Sequence, residues 1–284
     1  MNKSLKIVCL FFAIFFGTKT IYAQENEFGA WLGTCVYLGD LNPTFSFKDA
    51  RWATGILYRY NLNDRMAVRA QVNYGFLDGA DRRIKNYPYL QARNLDFKSQ
   101  LVEVAATYEI NFFRYSLTKP RGASNDVKKW TPYVFMGASL FYYKPYTKLN
   151  GDKYILESIG TEGQKSANNP TRNRGYDNYA FAIPYGVGIK VGLSQNWALN
   201  VEASSRITFT DYIDDVSGNY AAQDDVTYIV DGVNVGPALA DKSVAQIGIE
   251  GKQRGTSKDK DRFFFLGVGV TYTINTIKCP KVFN

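Results

Sequence analysis

Residues 102–112 read Val-Glu-Val-Ala-Ala-Thr-Tyr-Glu-Ile-Asn-Phe. Val102, Val104, Ala106, Tyr108, Ile110 and Phe112 make one apolar face; Glu103, Ala105, Thr107, Glu109 and Asn111 make the other. A period of two puts successive side chains on opposite sides of a pleated strand, so this stretch reads as a β-strand with two unlike environments. Its length matters as much as its pattern. A tilted strand needs about 9–11 residues to cross the hydrocarbon of a bilayer, whereas strands in soluble sheets are mostly about 5–6 residues long.

The same long alternation recurs from Ala67 to Phe76, Tyr185 to Leu193, Trp197 to Ile207 and Phe264 to Ile274. Less regular runs cover Phe28 to Gly39, Trp52 to Tyr60 and Pro132 to Tyr142. Eight strands is an even number, as closed outer-membrane barrels require, and closure leaves no unpaired edge in lipid. The connections sort into two kinds. Asn61 to Arg65, Arg114 to Trp130 and Ser194 to Asn196 fall at one end; Leu41 to Ala50, Asp78 to Asp96, Lys144 to Tyr179 and Asp211 to Asp261 fall at the other. The sequence therefore predicts an all-β fold, an eight-stranded antiparallel transmembrane β-barrel with short periplasmic turns and long outer loops.

A soluble sandwich or lipocalin-like barrel has the same period with the apolar face turned inward. Two features favour lipid. The polar faces are rich in glycine and small residues, which suits a crowded lumen. Tyr58, Tyr60, Tyr142, Tyr143, Trp197 and Tyr272 sit at strand ends, where interfacial aromatic girdles lie.

The N-terminus carries Lys3 and Lys6, an apolar run from Ile7 to Phe16 and a small residue in Tyr22-Ala23-Gln24. That order reads as a secretory signal peptide over residues 1–23, leaving a barrel domain over 24–276 and a periplasmic tail over 277–284. The expected location is the outer membrane. The apolar run of about ten residues is half of what a spanning helix needs. Losing Lys3, Lys6 and Lys19 from 34 bases leaves +5 against 26 acids. That modest charge, in an exported chain, argues against nucleic acid. The chain holds no histidine, which removes the usual proton shuttle and commonest metal ligand. The reading is non-enzymatic, with no catalytic, cofactor or metal site and no small-molecule substrate. Cys35 and Cys279 read as isolated thiols.

Three groups of residues stand out. Alternation points Arg69, Glu103, Glu109, Lys190, Glu202 and Arg206 into a lumen that eight strands leave just wide enough for side chains. Charges there must be paired, so an ionic plug is expected in preference to a solute path. Glu103 and Glu109, six residues apart on a strand, stand roughly 20 Å apart, too far to share acid–base work. Asp211, Asp214 and Asp215 form an acidic cluster. Their spacing does not match a calcium loop, and a structured rim with a turn at Gly218 is the expectation. Arg114, Lys119, Arg121, Lys128 and Lys129 in the long inner turn oppose only Asp126, while Asp211 to Asp261 holds ten acids and five bases. Solvated turns beside anionic lipid are the plainer reading of the basic turn; a dock for a periplasmic partner is the functional one. Glycine pairs at Gly186/Gly188 and Gly267/Gly269 lie inside strands and read as small lumen residues, not phosphate loops.

Three stretches carry a family resemblance: Tyr37-Leu38-Gly39-Asp40-Leu41; Pro132-Tyr133-Val134-Phe135-Met136-Gly137 with Phe141-Tyr142-Tyr143-Lys144-Pro145; and Ile183-Pro184-Tyr185-Gly186-Val187-Gly188-Ile189-Lys190, followed by Glu202, Arg206 and Thr208-Phe209-Thr210-Asp211-Tyr212-Ile213-Asp214-Asp215-Val216-Ser217-Gly218. Together they resemble the PorG-type outer-membrane barrels of Bacteroidetes. The resemblance implies an eight-stranded barrel associated with the periplasmic ring of the type IX (Por) secretion system, or a sister barrel of the same kind. The partners implied are outer-membrane lipid and periplasmic proteins of an export complex. Alternatives are a stand-alone barrel for membrane integrity or surface adhesion, and a narrow pore.

Overall fold

The computed structural model describes residues 25–45, 47–118, 126–166 and 175–275. The segments read above as signal peptide and C-terminal tail, with Cys279, lie outside the described residues, as do Lys119 and Arg121 of the inner turn.

Eight long strands form the wall: β1 (Glu25–Leu38), β2 (Arg51–Asn63), β3 (Met66–Ala80), β4 (Asp96–Asn111), β5 (Trp130–Leu149), β7 (Tyr179–Gly192), β8 (Trp197–Thr208) and β11 (Arg262–Asn275). A short strand, β6 (Asp152–Ile155), folds back on the end of β5. The order around the wall is β4-β3-β2-β1-β11-β8-β7-β5, and β4 pairs with β5 to close it. Every neighbouring pair is antiparallel. The β5–β7 ladder breaks between Met136↔Tyr185 and Ser139↔Ala182, beside Pro184, which has no N–H to donate.

The environments on the two faces are the reverse of those in a soluble protein. Phe181, Leu32 and Ile56 are each more than 60 % exposed, whereas Arg59, Lys190, Glu103 and Glu109 are fully buried. Apolar surface of that kind all round a closed wall is stable only against lipid. Inside, large and small residues complement one another. A side chain at Gly188 would strike the Tyr133 ring, and one at Gly267 would strike the Trp31 indole. Glycine at these positions makes room for the inward aromatics.

At the turn end, β2–β3 and β7–β8 are joined by tight connections, while the chain after β4 folds back so that Tyr115 and Leu117 pack on Ala198 beneath the lumen. The loop end is heavier. It holds α1 (Pro88–Arg93), α2 (Leu156–Ile159), the hairpin β9 (Ile229–Val230) and β10 (Val233–Asn234), and α3 (Gly236–Ala240). Here the inner wall turns apolar: Tyr37, Phe97, Leu101, Phe141, Tyr143 and Phe263 pack with Ile213, Val216, Leu239 and Ile159 from the loops in one cluster. The loops form a cap whose hydrophobic underside fills the mouth.

Two sequence expectations need correction. The outer loop expected from Lys144 begins later, because β5 continues to Leu149, pairing with β4 as far as Tyr146 and then with β6. Tyr143, expected in an outer aromatic girdle, points inward and is fully buried. Tyr142 and Tyr143 are adjacent, so the pleat allows only one of them to face lipid.

Candidate functional site: the lumen and its capped mouth

Alternation along the strands brings four cations and four carboxylates into the lumen. Glu109 is the hub: its carboxylate lies 2.9 Å from Arg59 Nε, 3.1 Å from Arg69 Nε and 2.7 Å from Lys190 Nζ. Arg59 reaches on to Glu27 at 2.5 Å, which also accepts from Asn61 at 2.7 Å. Arg69 reaches Glu202 at 2.5 Å, and the Tyr133 hydroxyl donates to the same carboxylate at 2.7 Å. Higher up, Arg206 holds Glu103 at 3.0 Å, and Asn73 donates to that carboxylate at 2.8 Å. Aromatic faces complete the cations' surroundings: Phe135 lies 4.6 Å from Arg69, Phe265 lies 4.3 Å from Arg206, and Tyr133 lies 4.5 Å from Lys190. Among these groups lies a cavity of about 30 Å³, on the scale of a water molecule or two.

The six lumen residues named from sequence thus lie in two linked groups, Glu103 with Arg206 and Glu109 with Arg69, Lys190 and Glu202. Glu103 and Glu109 serve different cations and share no partner among these bridges. Sequence reasoning missed Arg59, Glu27 and Tyr133, whereas Asn73 falls on the same polar face of its strand as Arg69. The signal for Arg59 was present: it shares a face with Ala53, Gly55 and Leu57 on β2. Glu27 begins the inward series that continues through Gly29 and Trp31 on β1.

At the mouth, Asp211, Asp214 and Asp215 are all buried. Asp215 accepts from the Tyr176 hydroxyl at 2.6 Å and faces Arg254 at 3.7 Å; burial nevertheless pushes its carboxyl up to about 6. Asp214 meets the Tyr37 hydroxyl at 2.6 Å, and so does Asp261, which was not singled out in the sequence. Glu162 anchors the turn at Gly218 by accepting the N–H groups of Ser217 and Gly218, and pairs with Arg254 at 3.1 Å. Arg93, held by Asp81 at 2.7 Å, also donates to the carbonyl of Asp40. No group of three or more metal-ligating side chains is placed to hold an ion among the described residues.

The family model described as "Domain of unknown function (DUF6089)" matches residues 5–233. The chain belongs to that family. No curated protein matches it. Solved structures similar to this DUF6089 chain include Ail of Yersinia pestis in complex with the heparin analogue sucrose octasulfate (9 % identity, 89 % of this chain and 100 % of that one, TM-score 0.42). They also include OprG of Pseudomonas aeruginosa (10 % identity, 89 % and 97 %, TM-score 0.41) and the Neisserial surface protein NspA (11 % identity, 89 % and 98 %, TM-score 0.37). The barrel architecture stated above rests on this chain's own strand register.

The basic turn of the DUF6089 barrel is less free than its composition suggests. Arg114 pairs with Asp64 at 3.2 Å. Lys128 lies 4.0 Å over the Phe113 ring and 5.6 Å from that of Trp130. Among the described members of the expected dock, Lys129 alone has neither an acid nor an aromatic face as an assigned partner; it is exposed.

Proposed function

We propose that this protein is a sealed, non-enzymatic outer-membrane barrel that acts through its two ends, as a structural and interaction component of the type IX secretion machinery, its basic turn end meeting a periplasmic ring protein. The observation that carries the sealed reading is the filled lumen. Four cations and four carboxylates neutralise one another there, and the cavity among them, about 30 Å³, is on the scale of a water molecule or two. A lumen of that kind supports a scaffold and disfavours a solute path. The secretion assignment rests on the residue resemblance around Tyr37, Pro132 and Ile183; the partner assignment rests on that resemblance and on the charge of the turn. Export by the N-terminal signal and residence in the outer membrane belong to the same reading.

A second reading is a stand-alone barrel with a surface role. It is favoured by the size of the cap, which draws on four loops where the turn end has one substantial connection.

The deciding experiment is affinity purification of the tagged protein from detergent-solubilised outer membranes. Periplasmic ring proteins in the eluate support the secretion role, and a barrel that elutes alone moves the assignment to the surface role. Single-channel conductance in planar bilayers would overturn the sealed reading in either case.

A further inference from the structure

Two sequence motifs, Tyr37-Leu38-Gly39-Asp40 at the end of β1 and Ile213-Asp214-Asp215-Val216 at the start of the longest loop, meet at one point of the mouth. The Tyr37 hydroxyl lies 2.6 Å from Asp214 Oδ2 and 2.6 Å from Asp261 Oδ1. The other oxygen of each carboxyl accepts a backbone N–H, Val216 to Asp214 at 2.9 Å and Ile213 to Asp261 at 2.8 Å. Both ends of the loop are thereby fixed to a barrel strand through one phenol. Gly39 is closed around this junction, since a Cβ there would overlap the Tyr37 hydroxyl and the Asp261 carboxyl.

A phenol has one proton to donate. It satisfies one of the two carboxyls, and a second contact at 2.6 Å between bare oxygens repels unless another proton lies in it. That proton must sit on Asp214 or Asp261. We infer that Asp214, Tyr37 and Asp261 form a proton-holding latch that fastens the cap to the barrel mouth and lets go when the shared proton is lost.

Among the described residues, the surroundings supply no cation in its place. The described charged and titratable groups facing the pair are Asp40 after β1, Asp211 from the loop, Tyr143 from β5 and Arg93 from α1. Arg93 is committed to Asp81. Lys260 acts on Asp211 from an exposed position. Asp211 Oδ1 is itself buried without a hydrogen-bond partner. Burial, with repulsion from Asp261 and Asp40, raises the Asp214 carboxyl well above the usual carboxylate range; burial, with repulsion from Asp211 and Asp40, does the same for Asp261. In the released loop both return to the ordinary range near 4. The closed latch then binds one more proton than the open one, so opening grows about tenfold per pH unit from about pH 4 up to the closed-state value, and levels off above it.

The test uses the full chain refolded into phosphatidylglycerol-containing vesicles, with Cys9→Ser and Cys279→Ser, Cys35 being buried, and spin labels attached after refolding to Val244→Cys in the cap and Lys98→Cys on the barrel wall. Pulsed dipolar spectroscopy from about pH 5 to about pH 9 should show the short-distance population giving way to a longer one with that slope. Asp261→Asn carries a permanent donor where the proton sits, so its distances should not change with pH. Distances that stay constant in the parent chain, or an Asp261→Asn slope equal to the parent's, overturn the latch. Should Asp261→Asn not fold, infrared spectroscopy of the parent chain decides. A protonated-carboxyl band at neutral pH that fades as the cap opens is the expected result, and its absence overturns the inference.

Discussion

The lumen and the mouth both bury charge, but in opposite balance. In the lumen, Glu27, Glu103, Glu109 and Glu202 face Arg59, Arg69, Lys190 and Arg206, each within ion-pair distance of an opposite charge. At the mouth, Asp214 and Asp261 share a tyrosine while Asp40 and Asp211 repel them, and the guanidinium of Arg93 is engaged by Asp81. Burying a charge is costly in either place. The lumen offsets that cost with counter-charges built into opposing strands, which cannot leave without unfolding the wall. The mouth offsets it with protons, which exchange with solvent. The first arrangement suits a permanent plug and the second a fastening that can be undone.

The largest effect that sharpens this contrast comes from Glu109. Glu109→Gln leaves Arg59, Arg69 and Lys190 around a neutral amide. Breaking a buried network in this way costs about 3–5 kcal/mol. Denaturant unfolding of the barrel in micelles should show a loss of that size. A loss below about 1 kcal/mol would mean that water already screens the lumen, and the distinction between the two regions would fall.

Next in size is the lipid face. Ile56 is 64 % exposed on β2, on the face opposite Arg59. Ile56→Arg should cost about 2–4 kcal/mol in vesicles if it lies near the bilayer midplane, and much less in a soluble protein, where an exposed position tolerates charge. Denaturant unfolding from vesicles checks that the wall faces lipid: a loss below about 0.5 kcal/mol, as at an ordinary solvated surface position, would mean that it does not.

These two positions also show what the sequence made legible. Strand number, the pleat and the inward set from Arg69 to Arg206 follow from a period of two, because the environment changes side at every residue. Glu27 and Arg59 obey the same rule but sit in runs interrupted by Gly29, Gly33 and Thr54, where the pattern is weak. The meeting of Tyr37, Asp214 and Asp261 was not legible. It joins residues 177 and 224 positions apart through loop packing that has no period. The extension of β5 past Tyr142 was missed for a related reason: Lys144, Pro145 and Lys148 look like loop residues, but they sit at the loop end of the strand, in its pairing with β4 and β6.

A smaller effect confined to the cap comes from Gly39. Gly39→Ala places a methyl group against Tyr37 and Asp261, and overpacking of this kind costs about 1–3 kcal/mol. The barrel wall should keep its unfolding midpoint while the cap becomes susceptible to protease at neutral pH. Acidification tightens the parent cap, because raised carboxyls contribute stability at low pH that is lost as pH rises; for Asp211, pushed up to about 6 mainly by burial, the loss runs from about pH 4 to about pH 6. An equal loss of barrel and cap stability in Gly39→Ala would show that the two regions are not separate units.

The smallest effect on stability, and the most informative for partners, is expected at the turn end. Lys129→Glu changes an exposed side chain and should move stability by less than about 0.5 kcal/mol. Lys128→Glu also loses the face of Phe113 and should cost about 0.5–1 kcal/mol. If the turn docks a periplasmic protein by charge, both reversals should weaken co-purification, because steering depends on the summed field and not on one contact. If only Lys128→Glu weakens it, and in proportion to its stability loss, the lysine acts by holding Phe113 and Trp130 at the membrane boundary. Co-purification unchanged in both variants would remove the basic turn from the partner surface and leave the cap as the end through which this barrel acts.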